Sequence, residues 1–275
     1  MGLPEAEPPS ARALADLHAR HMERVPYENL DIQLGRRTTV DGAASAQRIV
    51  RDVRGGYCFH LNGAFGTLLD ALGYDVRRHR GTVQSRSGPP STQLNHLILH
   101  VHGLPTDEHP DGTWWADVGL GDGFSRPLPL RAGRWEDSPW TYGLDASPAY
   151  AGGWRLVQDP AGAFGLADAD TVPPDPQELA AAHEQLSTSP DSGFVTVATA
   201  QRRYADRFVV LRACTLSRIE ASGTTTEVVE RREDWFAALA EVFDLRLVDL
   251  DADDQERLWQ RVRAQHEAWA AQQGG

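Results

Sequence analysis

Residues 54–62 read Arg54-Gly55-Gly56-Tyr57-Cys58-Phe59-His60-Leu61-Asn62. Paired glycines free the backbone for a tight turn, and Leu61, Phe65, Leu68, Leu69 and Leu72 then recur at helical spacing up to Gly73. The pattern predicts a helix that begins at Cys58. Free N–H groups in its first turn carry partial positive charge, which favours a thiolate over a thiol. Upstream, Ser10 caps a predicted helix over ARALADLHARHMERV that stops before Pro26, and ASAQRIVRDVR forms another before the Gly55-Gly56 break. Residues 1–84 therefore read as helical.

Downstream the period changes. LNHLILHVHGL and GTWWADVGLG alternate or are rich in aromatics, and GGWRLVQDPAGAFGL reads as a hairpin around Asp159-Pro160. With turn residues this dense, residues 85–190 predict a barrel or sandwich. The last region, 191–275, mixes types. FVTVATAQ, DRFVVLRACTLSRIEA and TTTEVVER read as strands, whereas WFAALAEVFDL and DDQERLWQRVRAQHEAWAAQQ read as helices.

Composition narrows the chemistry. All 27 basic residues among the 275 are arginine, which removes P-loop, protein-kinase and Schiff-base mechanisms that need a lysine. A net charge of −12 disfavours nucleic acid and anionic membranes as partners. Two cysteines, Cys58 and Cys214, are too few for a disulfide framework or a thiolate zinc cluster, and Cys214 reads as a strand residue in the core. The N-terminus lacks the basic and apolar segments of a secretory signal, and no apolar run spans a bilayer, so a cytoplasmic protein is expected.

A cysteine nucleophile needs a base, and the base needs an orienting acceptor. His96 lies on a predicted strand, Asp117 ends the next one, and pairing of the two would bring imidazole to carboxylate. His96, His100 and His102 share a strand face, so a metal site with Asp117 stands as an alternative at this point.

Together, VPYENLDI (Val25 to Ile32), RGGYCFHLN, NHLILHV (Asn95 to Val101) and ADVGLGDG (Ala116 to Gly123) resemble the arylamine N-acetyltransferase family, in order and in separation. The resemblance implies an α+β fold with a cysteine-protease-like catalytic core. A helical domain (1–84) would carry Cys58, an antiparallel β-barrel (85–190) His96 and Asp117, and an α/β lid (191–275) would follow. It implies ping-pong transfer of an acetyl or other acyl group from acetyl-CoA or another acyl-CoA to an arylamine, hydrazine or related amine. Cys58 would be the nucleophile, His96 the proton carrier and Asp117 its orienting partner. Arg54 and Glu28 would brace the catalytic turn, and Tyr27, Leu120 and Phe194 would line the acceptor pocket. No metal is implied, and a homodimer is allowed.

The chain departs from that family pattern in three places. His60 stands where the family usually has Glu or Gln, Leu120 replaces a pocket phenylalanine, and Asp122 and Asp191 place carboxylates on loops near the acceptor site. A wider, more polar pocket motivates a second reading, an amide synthase that transfers or cyclises a biosynthetic acyl chain. A non-catalytic binding protein with this fold is a third. Without lysine, donor phosphates would rest on arginine, and Arg77, Arg78 and Arg80 form the densest basic cluster.

Overall fold

The local rules stated above place the first elements of the computed structural model, which describes residues 7–87 and 91–273. Residues 1–6, on which part of the leader expectation falls, and 88–90 and 274–275 lie outside them. Ser10 accepts a hydrogen bond from the Ala13 N–H and opens α1 (Ala11–Arg24). Then come β1 (Tyr27–Glu28), α2 (Leu30–Gln33) and α3 (Gly42–Asp52). Val53 ends α3 at φ 51°, in the left-handed region that a β-branched residue rarely takes, and turns the chain into Arg54-Gly55-Gly56. Helix α4 (Cys58–Ala71) begins at the cysteine.

Strand β2 (Asp75–Gln84) follows within the stretch that the sequence pattern assigned to helix. It pairs on one side with β3 (His96–His102), with Arg77 opposite His100. Next come β4 (Trp114–Ala116), β5 (Leu128–Pro129), β6 (Gly133–Asp137), β7 (Trp140–Ala146), β8 (Trp154–Gln158) and β9 (Leu166–Ala169). These strands form one eight-stranded antiparallel sheet in the order β5-β4-β3-β2-β9-β8-β7-β6, a nearly closed barrel. β3 is buried on both faces: Ile98 packs with Trp115, Tyr142 and Leu156 inside the barrel, while Leu99 and Val101 pack with Leu14, Leu61 and Phe65 from the helices.

The chain continues through α5 (Pro176–Thr188), α6 (Gly193–Thr196), β10 (Thr199–Arg203), β11 (Arg207–Arg212), β12 (Thr215–Glu220) and β13 (Gly223–Val228). It closes with α7 (Arg232–Phe243) and α8 (Ala252–Gln273). β10 to β13 form an antiparallel sheet whose other edge is β1, with Tyr27 opposite Gln201. Trp235, Leu239, Leu258 and Val262 from the closing helices pack beneath it. FVTVATAQ is not one strand. Ser192 caps α6 through the Phe194 N–H, and only the second half joins the sheet. Cys214 is buried as expected but sits in the turn between β11 and β12, beside Ala213 at φ 46°. Among the described residues no helix is long and apolar enough to cross a membrane.

Candidate active site

The loop before α4 is built by close approach. A Cβ on Gly55 would stand 1.7 Å from the Pro26 carbonyl oxygen, so only glycine lets β1 pass this near the turn. Arg54 is buried behind it. Its guanidinium donates to Glu28 (3.2 Å), Asp31 (3.2 Å) and Asp249 (2.8 Å), while Arg48 adds a second cation to Glu28 at 2.8 Å. The pairing of Arg54 with Glu28 is thus one edge of an ion-pair network that ties the turn to Asp249, nearly two hundred positions away.

Cys58 occupies the first helical position, and its thiol donates to the Asn95 carbonyl at 3.5 Å. Among the described residues the N–H groups of Cys58 and Phe59 donate to no protein acceptor, as the first turn of a helix leaves them. β4 pairs with β3 through Leu99 and Ala116; past the end of that ladder His96, three residues before Leu99, donates from Nε2 to Asp117 Oδ2 at 2.7 Å. Burial works against charge on the imidazole, but Asp117, and then Cys58, outweigh it and push His96 up to about 10. Burial likewise opposes charge on Asp117. His96 and the donors on the other carboxylate oxygen still hold it below the ordinary carboxylate range. Those donors are Asn62 Nδ2 at 2.7 Å and the Gly119 N–H at 3.0 Å.

Two supporting residues were not singled out in the sequence. Asn62 stands four residues after Cys58, on the same helix face, and also accepts the Val118 N–H at 2.9 Å. A Cβ on Gly119 would lie 2.8 Å from both Asn62 Nδ2 and the Cys58 Cα, which accounts for the glycine in ADVGLG. His18, on the apolar face of α1, donates from Nδ1 to the Ser125 carbonyl (3.0 Å) and accepts the Asp117 N–H at Nε2 (3.2 Å). Helical spacing exposes both: Asn62 follows Cys58 by four, and His18 is a polar residue at a core position.

Cys58 and His96 open into a cavity of about 350 Å³ whose walls include Tyr27, Leu120, Asp122 and Phe194. Asp191 is exposed and does not line it, so one of the two carboxylates expected near the acceptor belongs elsewhere. His60 faces away. Its ring packs on Tyr57 and His183, and burial, with Arg48 and His183, pushes it down to about 3, so it adds no charge beside the sulfur. Tyr57, the residue before the cysteine, donates its hydroxyl to His183 Nδ1 at 2.6 Å and so joins the turn to α5.

Arg77, Arg78 and Arg80 face Asp75 (3.3 Å), Asp70 (2.7 Å) and Glu178 (2.6 Å), and none lines the cavity. Arg212 does; it is exposed and has no carboxylate partner among the described residues. The histidine face offers no metal centre. His100 is buried against His79 and Trp115, and no group of three or more His, Cys, Asp or Glu among the described residues is arranged to hold an ion.

A profile of the N-acetyltransferase family matches residues 10–252. An arylamine N-acetyltransferase / N-hydroxyarylamine O-acetyltransferase of Salmonella typhimurium is 39% identical over 126 residues, covering 45% of this chain and 41% of that protein. A pineal gland arylamine N-acetyltransferase isozyme of Gallus gallus is 28% identical over 213 residues, 69% of this chain and 70% of that protein. The chain thus spans about two fifths of the bacterial relative's length. Among solved structures, the arylamine N-acetyltransferase of Mycobacterium smegmatis superposes with a TM-score of 0.84 at 28% identity, covering 94% of each chain. That of Mycobacterium marinum, solved in complex with CoA, gives 0.82 at 28% identity over 93% of each. The chain belongs to the arylamine N-acetyltransferase family.

Proposed function

We propose that the protein transfers an acetyl group from acetyl-CoA to an arylamine, hydrazine or related amine through an acyl-Cys58 intermediate. The observation that carries this reading is the placement of Cys58 at a helix N-terminus, in one cavity with a His96 that Asp117 holds. His96 takes the thiol proton of Cys58, which leaves the sulfur as the nucleophile. Cys58 attacks the thioester carbonyl, the bond from that carbon to the CoA sulfur breaks, and His96 gives its proton to the departing thiolate. The N–H groups of Cys58 and Phe59 are available to the developing oxyanion. An amine then attacks the acyl-cysteine, a C–N bond replaces the C–S bond, and the amine proton passes to His96. Asp117 keeps Nε2 protonated throughout, which leaves Nδ1 for the exchange. Arg212, on the cavity wall, is the cation available to the donor's phosphates.

Intact-protein mass spectrometry tests the reading. Incubation with acetyl-CoA should add one acetyl group, and Cys58→Ala should abolish the addition. A wild-type protein that acetyl-CoA leaves unlabelled, while longer biosynthetic acyl thioesters label it, would assign the chain to amide synthesis instead.

A further inference from the structure

The cavity has a polar wall that acyl transfer does not use. Asp122 is fully buried there: Oδ2 accepts the Ala163 N–H at 2.6 Å, whereas Oδ1 is closed over by protein and has no hydrogen-bond partner among the described residues. The backbone cannot carry the carboxyl out to water, because the Asp122 carbonyl accepts both the Tyr142 hydroxyl (2.7 Å) and Gln158 Nε2 (3.0 Å). Gln201 lies over the preceding residue, Gly121, where a Cβ would stand 1.7 Å from Gln201 Oε1. Among the described residues neither the Gln201 amide nor the Tyr27 hydroxyl makes a side-chain hydrogen bond. Both line the cavity with Asp122.

An orphaned carboxylate oxygen in a dry wall is destabilising until a water, an ion or a ligand group completes it. The charged and titratable groups around it leave the place open. Arg203 is engaged by Asp137, by the Gly123 and Ser138 carbonyls and by carbonyls of its own hairpin; it acts on Asp122 through space but makes no hydrogen bond or ion pair with its carboxylate. Burial keeps the Tyr27 and Tyr142 hydroxyls protonated. Arg212, Cys58 and His96 complete the groups on this cavity.

Building on the acyl-transfer reading, we propose that Asp122 determines acceptor specificity: its free oxygen accepts an N–H from a cationic substituent, so favoured acceptors are aryl amines carrying a second, protonated nitrogen. Gln201 packs over this loop without a hydrogen bond to hold it, so it can yield as the substituent enters. Burial, offset in part by the Ala163 N–H, pushes the carboxyl up to about 6, so it is charged at neutral pH and loses its hold on a cation below that value.

Two anilines of matched shape test this: 4-(dimethylaminomethyl)aniline, whose tertiary ammonium cannot itself be acylated, and 4-isobutylaniline. The ratio of their kcat/KM values, cationic over neutral, should exceed one at pH 7.5 and fall by about tenfold or more in Asp122→Asn, the loss of one charge-assisted hydrogen bond. In the unmodified protein the same ratio should fall as pH drops through 6. Titration of His96 affects both acceptors alike and cancels. A ratio that Asp122→Asn leaves unaltered, or that stays flat from pH 5 to 8 in the unmodified protein, overturns the proposal. The pH series needs no variant and decides the matter should the substitution unfold the protein. Absence of acetyl-Cys58 would instead defeat the underlying transferase reading.

Discussion

Asp117 and Asp122 stand on one connection after β4, and both are buried, yet their surroundings drive them in opposite directions. Asp117 receives donors on both oxygens, from His96 and, more distantly, Trp115 on one, and from Asn62 and Gly119 on the other. Asp122 receives one, from Ala163. Burial is the largest influence on each, and it prevails at Asp122 because too little opposes it. Charge on a buried carboxyl is thus set by its partners and not by its depth. The same connection supplies a fixed anion and, five residues on, a carboxyl with one oxygen unpartnered among the described residues.

The contrast breaks most sharply at Asp117. Asp117→Asn leaves the shape but presents an amide to His96, and should slow acetylation of Cys58 by roughly a thousandfold to ten-thousandfold in single-turnover measurements. In the unmodified protein this pair stabilises the fold across neutral pH. Because Asp117 is depressed, that contribution fades as pH falls through its lowered pKa; because His96 is raised, it also fades as pH rises through about 10. Substituting Asp122 should act the other way on stability. The native state holds a proton up to about pH 6 that the unfolded chain releases near 3.8, so stability drops between those values. Asp122→Asn should therefore unfold later than the parent at pH 8, by up to about 3 kcal/mol in urea titrations, and show no such gain below pH 4. An equal effect at both pH values would contradict the assignment. The smallest change concerns the anchor. Tyr142→Phe removes one hydrogen bond to the Asp122 carbonyl while Gln158 keeps the other, a cost of about 1 kcal/mol by the same titration.

The parts of this site that were legible in the sequence are those set by local rules. A Gly-Gly break before a helical period put Cys58 at a helix start, and alternation in NHLILHV and GTWWADV was enough to bring His96 to Asp117. The pattern failed where long-range partners decide. DVRRHRGTVQ has no apolar alternation, yet it is an interior strand, because Arg78 and Arg80 find carboxylates on α4 and α5. FVTVATAQ alternates like a strand, but donors from Asn29 and Gln33 capture the carbonyls of Phe194 and Val197 and hold α6 in place. Helical spacing turns Asn62 and His18 inward, but their common partner Asp117 lies 55 and 99 residues away, and spacing does not name it.

The salt-bridge network behind the Cys58 turn has a consequence for how the protein matures. Arg54 bonds Asp249 across 195 residues, and Arg36 meets both Asp249 and Asp254. During synthesis the helices bearing Cys58 leave the ribosome long before that carboxylate exists. Until it arrives, a guanidinium destined for burial lacks one of its counter-charges, so the turn settles late. The turn that carries Cys58 is thereby completed only in chains that have been made past residue 249.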